Sequence, residues 1–193
     1  GVFFTKQGQR SFLAKIIPYR GSWVEFEYDQ KDVLSVRIDR KRKFHGTVFL
    51  RALGLESDES ILRQFYVPVG LTSDGGGQFT LHVPPRVLDP ERLKDRQSRG
   101  RREAYPIFGG IVLTKAHIGK LETGQSLAFE VGAEELERAY FIGDVVDLDT
   151  GEVIFEANEL VPEDIEERLD GRNHTPVEVF FPDWELTGAT LSN

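Results

Sequence analysis

Residues 15–43, KIIPYRGSWVEFEYDQKDVLSVRIDRKRK, constrain the fold of this chain more than any other stretch. Two segments with alternating apolar and polar residues, 23–28 and 33–38, flank the polar run Asp29-Gln30-Lys31-Asp32. Alternation with period two marks a strand with one covered face, and a polar turn between two such strands specifies an antiparallel hairpin. Val36 and Ile38 then fall on one face, and Arg37 and Asp39 on the other. Pro18 and Gly21 punctuate the chain ahead of the hairpin and set it off from a short strand at 15–17. The second strand runs directly into Arg40-Lys41-Arg42-Lys43. This basic run has two readings. One is a solvated helix N-terminus, where positive charge opposes the helix dipole. The other is contact with phosphate, strengthened by Arg20, Arg37 and an aromatic residue on the same hairpin.

The aromatic residue is Trp23, which follows Gly21-Ser22 and lies near Arg20. It is either a core tryptophan or a presented ring, and a presented indole stacks on an unpaired base without needing a particular sequence. Asp39 either pairs with Arg37 or Arg40, or serves a nucleic-acid site by accepting from a base amino group or orienting an arginine.

Beyond the hairpin, Phe44, Val48, Leu50 and Leu53 recur at helical spacing and stop at Gly54. Ser57 caps a second short helix reaching Phe65, with acid in its first turn. A break is expected at Val67-Pro68 and 73–77, followed by a strand at 78–83. A charged, proline-containing connection covers 84–102, with a helical turn at 90–94. Then come a strand edge at 111, a short helix capped by Thr114, a strand at 127–131 and a connection or helix at 133–139. Asp149-Thr150-Gly151 marks a hairpin between 140–148 and 152–157. An acidic helix at 162–169, closed by Gly171, precedes a last strand at 177–181. The predicted class is α+β, strand-rich, with mixed hairpins and short helices in two subdomains that meet near 65–66.

Charge separates along the chain. Residues 1–65 hold 12 Lys+Arg and 8 Asp+Glu, a net +4, and residues 66–120 hold 9 and 5, again +4. Residues 121–193 hold 3 and 19, a net −16. The first part suits phosphate, with 92–102 a second basic candidate. The last part repels phosphate and suits either a basic protein partner or simple solubility. No apolar run approaches the ~20 residues of a membrane helix, so no membrane partner is expected. The chain has no cysteine, which excludes disulfides and thiolate metal sites and fits a reducing compartment. His45, His82, His117 and His174 are scattered without ligand spacing, and no metal or cofactor is expected. Asp144, Asp147, Asp149 and Glu152 lack the spacing and central glycine of a calcium loop. Asp149-Thr150-Gly151 occurs once and is followed by Glu152, so it does not make an aspartic protease. No catalytic residue is assigned. With no methionine and abrupt ends, the chain reads as a piece of a longer protein.

In the order GVFF, AKIIPYRGSW, FEYDQKD, VRIDRKRK and LRALG, the first 65 residues resemble the lobe of the β subunit of bacterial DNA-directed RNA polymerase. The resemblance implies that 1–65 is the N-terminal part of the lobe, lining the downstream DNA cleft. Trp23 then matches the tryptophan that stacks on the non-template strand, and Asp39 an acidic residue of the same pocket. Arg37, Arg40, Arg42 and Lys43 line the cleft. IVLTKAHIGKLE at 111–122 and DTGEVIFEANE at 149–159 are similar to a lineage-specific insertion of that lobe, implied to cover 66–187, with 188–193 starting the return to the lobe. The implied partners are non-template and downstream DNA, the other polymerase subunits and regulators docked on the insertion, in the cytoplasm. Nucleotidyl transfer belongs to the whole enzyme. The alternative is an acidic protein-interaction module with no direct contact to nucleic acid.

Overall fold

A computed structural model describes residues 1–6, 11–29, 31, 33–85, 105–108 and 111–182. The alternating stretch forms the expected hairpin and sits inside a larger meander. Strands β1 (Val2–Lys6), β2 (Phe12–Ile16), β3 (Val24–Tyr28), β4 (Leu34–Ile38) and β5 (Phe44–His45) form one antiparallel sheet in chain order. In the β3–β4 register Val24 faces Ile38, Glu25 faces Arg37 and Phe26 faces Val36. One sheet face is therefore apolar and the other carries Trp23, Glu25, Glu27, Arg37 and Asp39.

Helix α1 (Gly46–Ala52) packs on the apolar face. The Phe49 ring meets Phe26 edge-on at 5.7 Å and Phe44 at 6.4 Å, and Val36 beneath is fully buried. Glycine at 46 allows the close approach, because a Cβ there would fall 2.7 Å from Leu34 Cγ. Away from α1 the same face is open. Val2, Phe4, Phe12 and Ile16 are exposed, Phe4 by 83%. Ahead of helix α2 (Asp58–Phe65), the Ser57 hydroxyl accepts the Ser60 N–H at 3.1 Å, the cap read from the sequence.

The described chain divides into two compact units, with the division between Ile61 and Leu62, inside α2. The second unit is built on a five-stranded antiparallel sheet in the order β10-β7-β6-β14-β11, comprising β6 (Val69–Gly75), β7 (Gln78–Val83), β10 (Leu127–Gly132), β11 (Tyr140–Phe141) and β14 (Val177–Phe180). Two small hairpins join β8 (Tyr105–Phe108) to β9 (Ile111–Leu113) and β12 (Val145–Val146) to β13 (Val153–Phe155). Helices α3 (Lys115–Glu122), α4 (Ala133–Leu136) and α5 (Ile165–Leu169) complete the unit. Val69, Leu71, Phe79, Leu81, Phe141, Phe155 and Ile165 belong to one buried cluster in this unit. Phe141 and Phe155 stack at 4.5 Å and 13°.

The α+β class holds, with two corrections to the element reading. The helix read from Phe44 begins at Gly46, because Phe44 and His45 pair with Val36 and Ser35 of β4 as strand β5. The break expected at 73–77 is instead the end of β6 and a two-residue turn. Gly76 and Gly77 both have positive φ, +66° and +78°, which suits the twist of a tight hairpin. Thr72-Ser73-Asp74 hid the strand because its core-facing alternation ends at Leu71. The helical turn expected at 90–94 lies outside the described residues. Thr114 caps α3 as expected: its hydroxyl accepts the His117 N–H at 3.3 Å, and His117 Nδ1 accepts the Thr114 N–H at 3.4 Å. Among the described residues no helix is long and apolar enough to cross a membrane.

Candidate nucleic-acid interface

Trp23 stands one residue before β3, directly across from Asp39, which follows β4. Asp39 and Arg40 both adopt left-handed backbone, φ 51° and 60°, and the Lys41 N–H closes the turn onto the Ile38 carbonyl at 3.1 Å. Asp is among the few side chains that visit this region readily. From there it brackets the tryptophan. The Asp39 N–H donates to the Trp23 carbonyl at 2.9 Å, and Asp39 Oδ1 accepts the Trp23 N–H at 2.8 Å. The Ser22 hydroxyl and that Trp23 N–H hold the Asp39 carboxyl below the ordinary aspartate range, so it is ionised at neutral pH.

Trp23 is 36% exposed as a residue, so it lies at the surface rather than in the core. The Arg40 guanidinium lies over it, 5.2 Å from the ring centroid, in a cation–π arrangement. Tyr19 and Arg20 are exposed nearby in sequence. Thus Trp23, Asp39 and Arg40 come together. Asp39 pairs with neither Arg37 nor Arg40 through its carboxylate; it fixes the backbone that presents the ring.

Arg37 and Lys43 go elsewhere. Arg37 lies 3.7 Å and Lys43 3.6 Å from opposite oxygens of Glu27. Lys15 is similarly matched by buried Glu25 at 2.8 Å. Arg42 is exposed, with no ion-pair partner among the described residues. The positive charge without a direct ion pair among the described residues is therefore at the Trp23 end of the hairpin, on Arg40, Lys41 and Arg42, with the ionised Asp39 carboxylate beside it. The basic run is also not a helix N-terminus. It occupies the turn and the loop before β5, and α1 begins only at Gly46.

The acidic residues considered for chemistry in the second unit serve structure. Asp147 is 6% exposed, and its Oδ1 accepts the N–H groups of Asp149 and Thr150 at 2.9 and 3.2 Å. These bonds, the Asp149 N–H first, hold its carboxyl below the usual range, and Arg172 at 3.6 Å adds to them. Asp144 accepts the Ala157 N–H, Asp149 accepts from Asn173, and Glu152 pairs with Arg172. Asp147 thus heads an Asx-type turn that runs through Asp149-Thr150-Gly151.

The family described as RNA polymerase Rpb2, domain 2, matches residues 4–73. A relative from Koribacter versatilis, called DNA-directed RNA polymerase subunit beta, is 41% identical over 201 residues and aligns with 100% of this chain. Relatives of the same name from Solibacter usitatus and Sorangium cellulosum are 41% and 34% identical, aligned with 100% and 99% of the chain. The chain belongs to the bacterial RNA polymerase β-subunit family. It spans 13% of the length of the first two relatives and 14% of the third. The β-subunit likeness runs through both compact units, since the aligned segments cover nearly the whole chain.

Within this β-subunit segment, sequence reasoning missed Glu27 and Ser22. Glu27 shares the strand parity of Arg37, so alternation places both on one face. That signal was present in the sequence. Ser22 carries no comparable one, because its role depends on the left-handed turn at Asp39. The basic run at 92–102 lies outside the described residues.

Proposed function

We propose that this chain acts within a DNA-directed RNA polymerase, its first unit touching the non-template strand and downstream DNA and its second unit receiving protein regulators. Nucleotidyl transfer belongs to other parts of that enzyme. The observation that carries the DNA reading is the Trp23 corner: an exposed indole, pinned by Asp39 and overlaid by Arg40, beside Lys41 and Arg42. It supplies a stacking platform and local positive charge, the two elements that single-stranded nucleic acid needs. In this reading residues 1–65 belong to the lobe and 66–187 to its insertion. The open apolar face around Phe4 and Phe12 is covered by lobe residues beyond this segment.

Base–aromatic stacking is worth ~1–3 kcal/mol, and a ring with about a third of its surface free lies at the lower end. In assembled polymerase, Trp23→Ala should shorten open-complex lifetime about fivefold, the equivalent of ~1 kcal/mol, and Trp23→Phe should retain most of it. An unchanged lifetime in the alanine variant would falsify the stacking role. The acidic-module reading is favoured by the net −16 of residues 121–193. It applies to the second unit, and removal of 66–187 should then preserve basal elongation while a regulator response is lost.

A further inference from the structure

Among the described residues, the sheet of the second unit has a gap in its pairing. Strand β14 starts at Val177, opposite Leu71 of β6, and runs from there alongside Gly70 and Val69. Strand β6 continues the other way through Thr72, Ser73 and Gly75 with only β7 as a partner among the described residues. The residues ahead of β14 turn aside to pair elsewhere. The Thr175 N–H donates to the Val146 carbonyl at 2.9 Å, and His174 bridges to Asp147. Pro176, between them and the strand, has no N–H to offer. A groove of about 1000 Å³ opens along this edge of β6, unpaired among the described residues, and is walled on its far side by α5 and the loop after it.

The groove has an apolar floor, formed by Leu71, Phe79 and Ile165, and a rim of carboxylates. Among its described lining residues no lysine or arginine occurs. Glu178 is matched by Arg63, and Glu166 accepts the Gly77 N–H at 2.7 Å. Glu167 and Asp170 are exposed and have no ion-pair partner among the described residues. An open strand edge takes an extended polypeptide by main-chain hydrogen bonds, and the flanking side chains choose its sequence.

We infer that the groove beside Thr72–Gly75 docks an extended segment of a basic protein, with alternating apolar and Lys or Arg residues, added as a further strand on β6. This rests on the protein-docking reading of the second unit and names the partner chemistry of that surface. Nucleic acid is excluded here by the carboxylates. A second copy of the chain is disfavoured by its own net charge of −8, of which residues 121–193 carry −16.

The test uses whole polymerase carrying this β-subunit segment and a fluorescein-labelled octapeptide of alternating lysine and valine. Anisotropy reads binding, and hydrogen exchange of the peptic fragments over 69–83 reads its location. The peptide should slow exchange at Thr72–Gly75 about fivefold or more. N-methylation of alternate peptide amides should weaken binding about tenfold, since it removes main-chain donors while keeping the charge. Glu167→Lys with Asp170→Lys should weaken it about tenfold at low salt. Both side chains are exposed, and unchanged exchange without peptide confirms that the variant folds. The inference is overturned by equal binding of the N-methylated peptide, by absent protection of β6, or by undiminished binding to the charge-reversed variant. If β6 stays unprotected while removal of 66–187 abolishes a regulator response, the docking reading stands and only the groove assignment falls.

Discussion

Gly46 is where α1 touches the sheet, and replacing it with alanine tests whether that seat fixes the first unit. A Cβ at this position would lie 2.7 Å from Leu34 Cγ, 2.8 Å from Cδ2 and 3.1 Å from the Leu34 carbonyl oxygen. The carbonyl belongs to a strand paired along its length with β3, so it cannot retreat without breaking register. Overpacking of this kind costs ~1–3 kcal/mol. Gly46 does not need positive φ, so alanine recovers ~0.4–1 kcal/mol through a less mobile unfolded chain. The net loss should be about 1–2 kcal/mol. Urea unfolding followed by Trp23 fluorescence, in a Trp184→Phe background, reads the first unit directly. Leu34→Ala removes the two closest atoms, Cγ and Cδ2, and leaves the carbonyl oxygen at 3.1 Å, so the double variant should be more stable than the sum of the singles by about 1 kcal/mol or more. A neutral or stabilising Gly46→Ala, or strict additivity with Leu34→Ala, would refute the steric account.

In the same Trp184→Phe background, Asp39→Ala should red-shift Trp23 emission and raise its quenching by acrylamide, with Asp39→Asn intermediate because its amide oxygen still accepts one bond; equal quenching in all three would show that Asp39 does not hold the ring. The Asp147 carboxyl sits below its ordinary value in the folded chain, so its contribution is complete above the unfolded value of ~3.9 and is lost as pH falls through the lower folded value. Thermal unfolding between pH 7 and pH 3 should therefore show a steeper acid loss for wild type than for Asp147→Asn, and identical slopes would refute the role given to this carboxylate.

Much of this was legible because it depends on near neighbours in sequence. The β3–β4 hairpin followed from alternation, the caps at Ser57 and Thr114 from side chains three residues from their partners, and the Asp149-Thr150-Gly151 turn from its composition. Strand β6 was missed where polar residues continue a strand past its buried part. The site was legible by residue type and less so by arrangement. Trp23 and Arg40 were both singled out, but that Asp39 grips the Trp23 backbone depends on two consecutive left-handed residues, which alternation does not signal. Likewise, the sequence counts Arg37 and Lys43 as positive, whereas the fold places one glutamate between them.

That glutamate has a consequence for ionic strength. A protein cation that neutralises a DNA phosphate sets free about 0.9 of a condensed counterion, which is why such binding weakens as salt rises. Glu27 lies within 4 Å of both Arg37 and Lys43, so the three together bring a net charge of one rather than two to the proposed DNA face. The pair then contributes about −0.9, not about −1.8, to the slope of log affinity against log salt. The hairpin thus carries its own counterion, and the DNA contact proposed for it would be less sensitive to ionic strength than its count of arginines and lysines suggests.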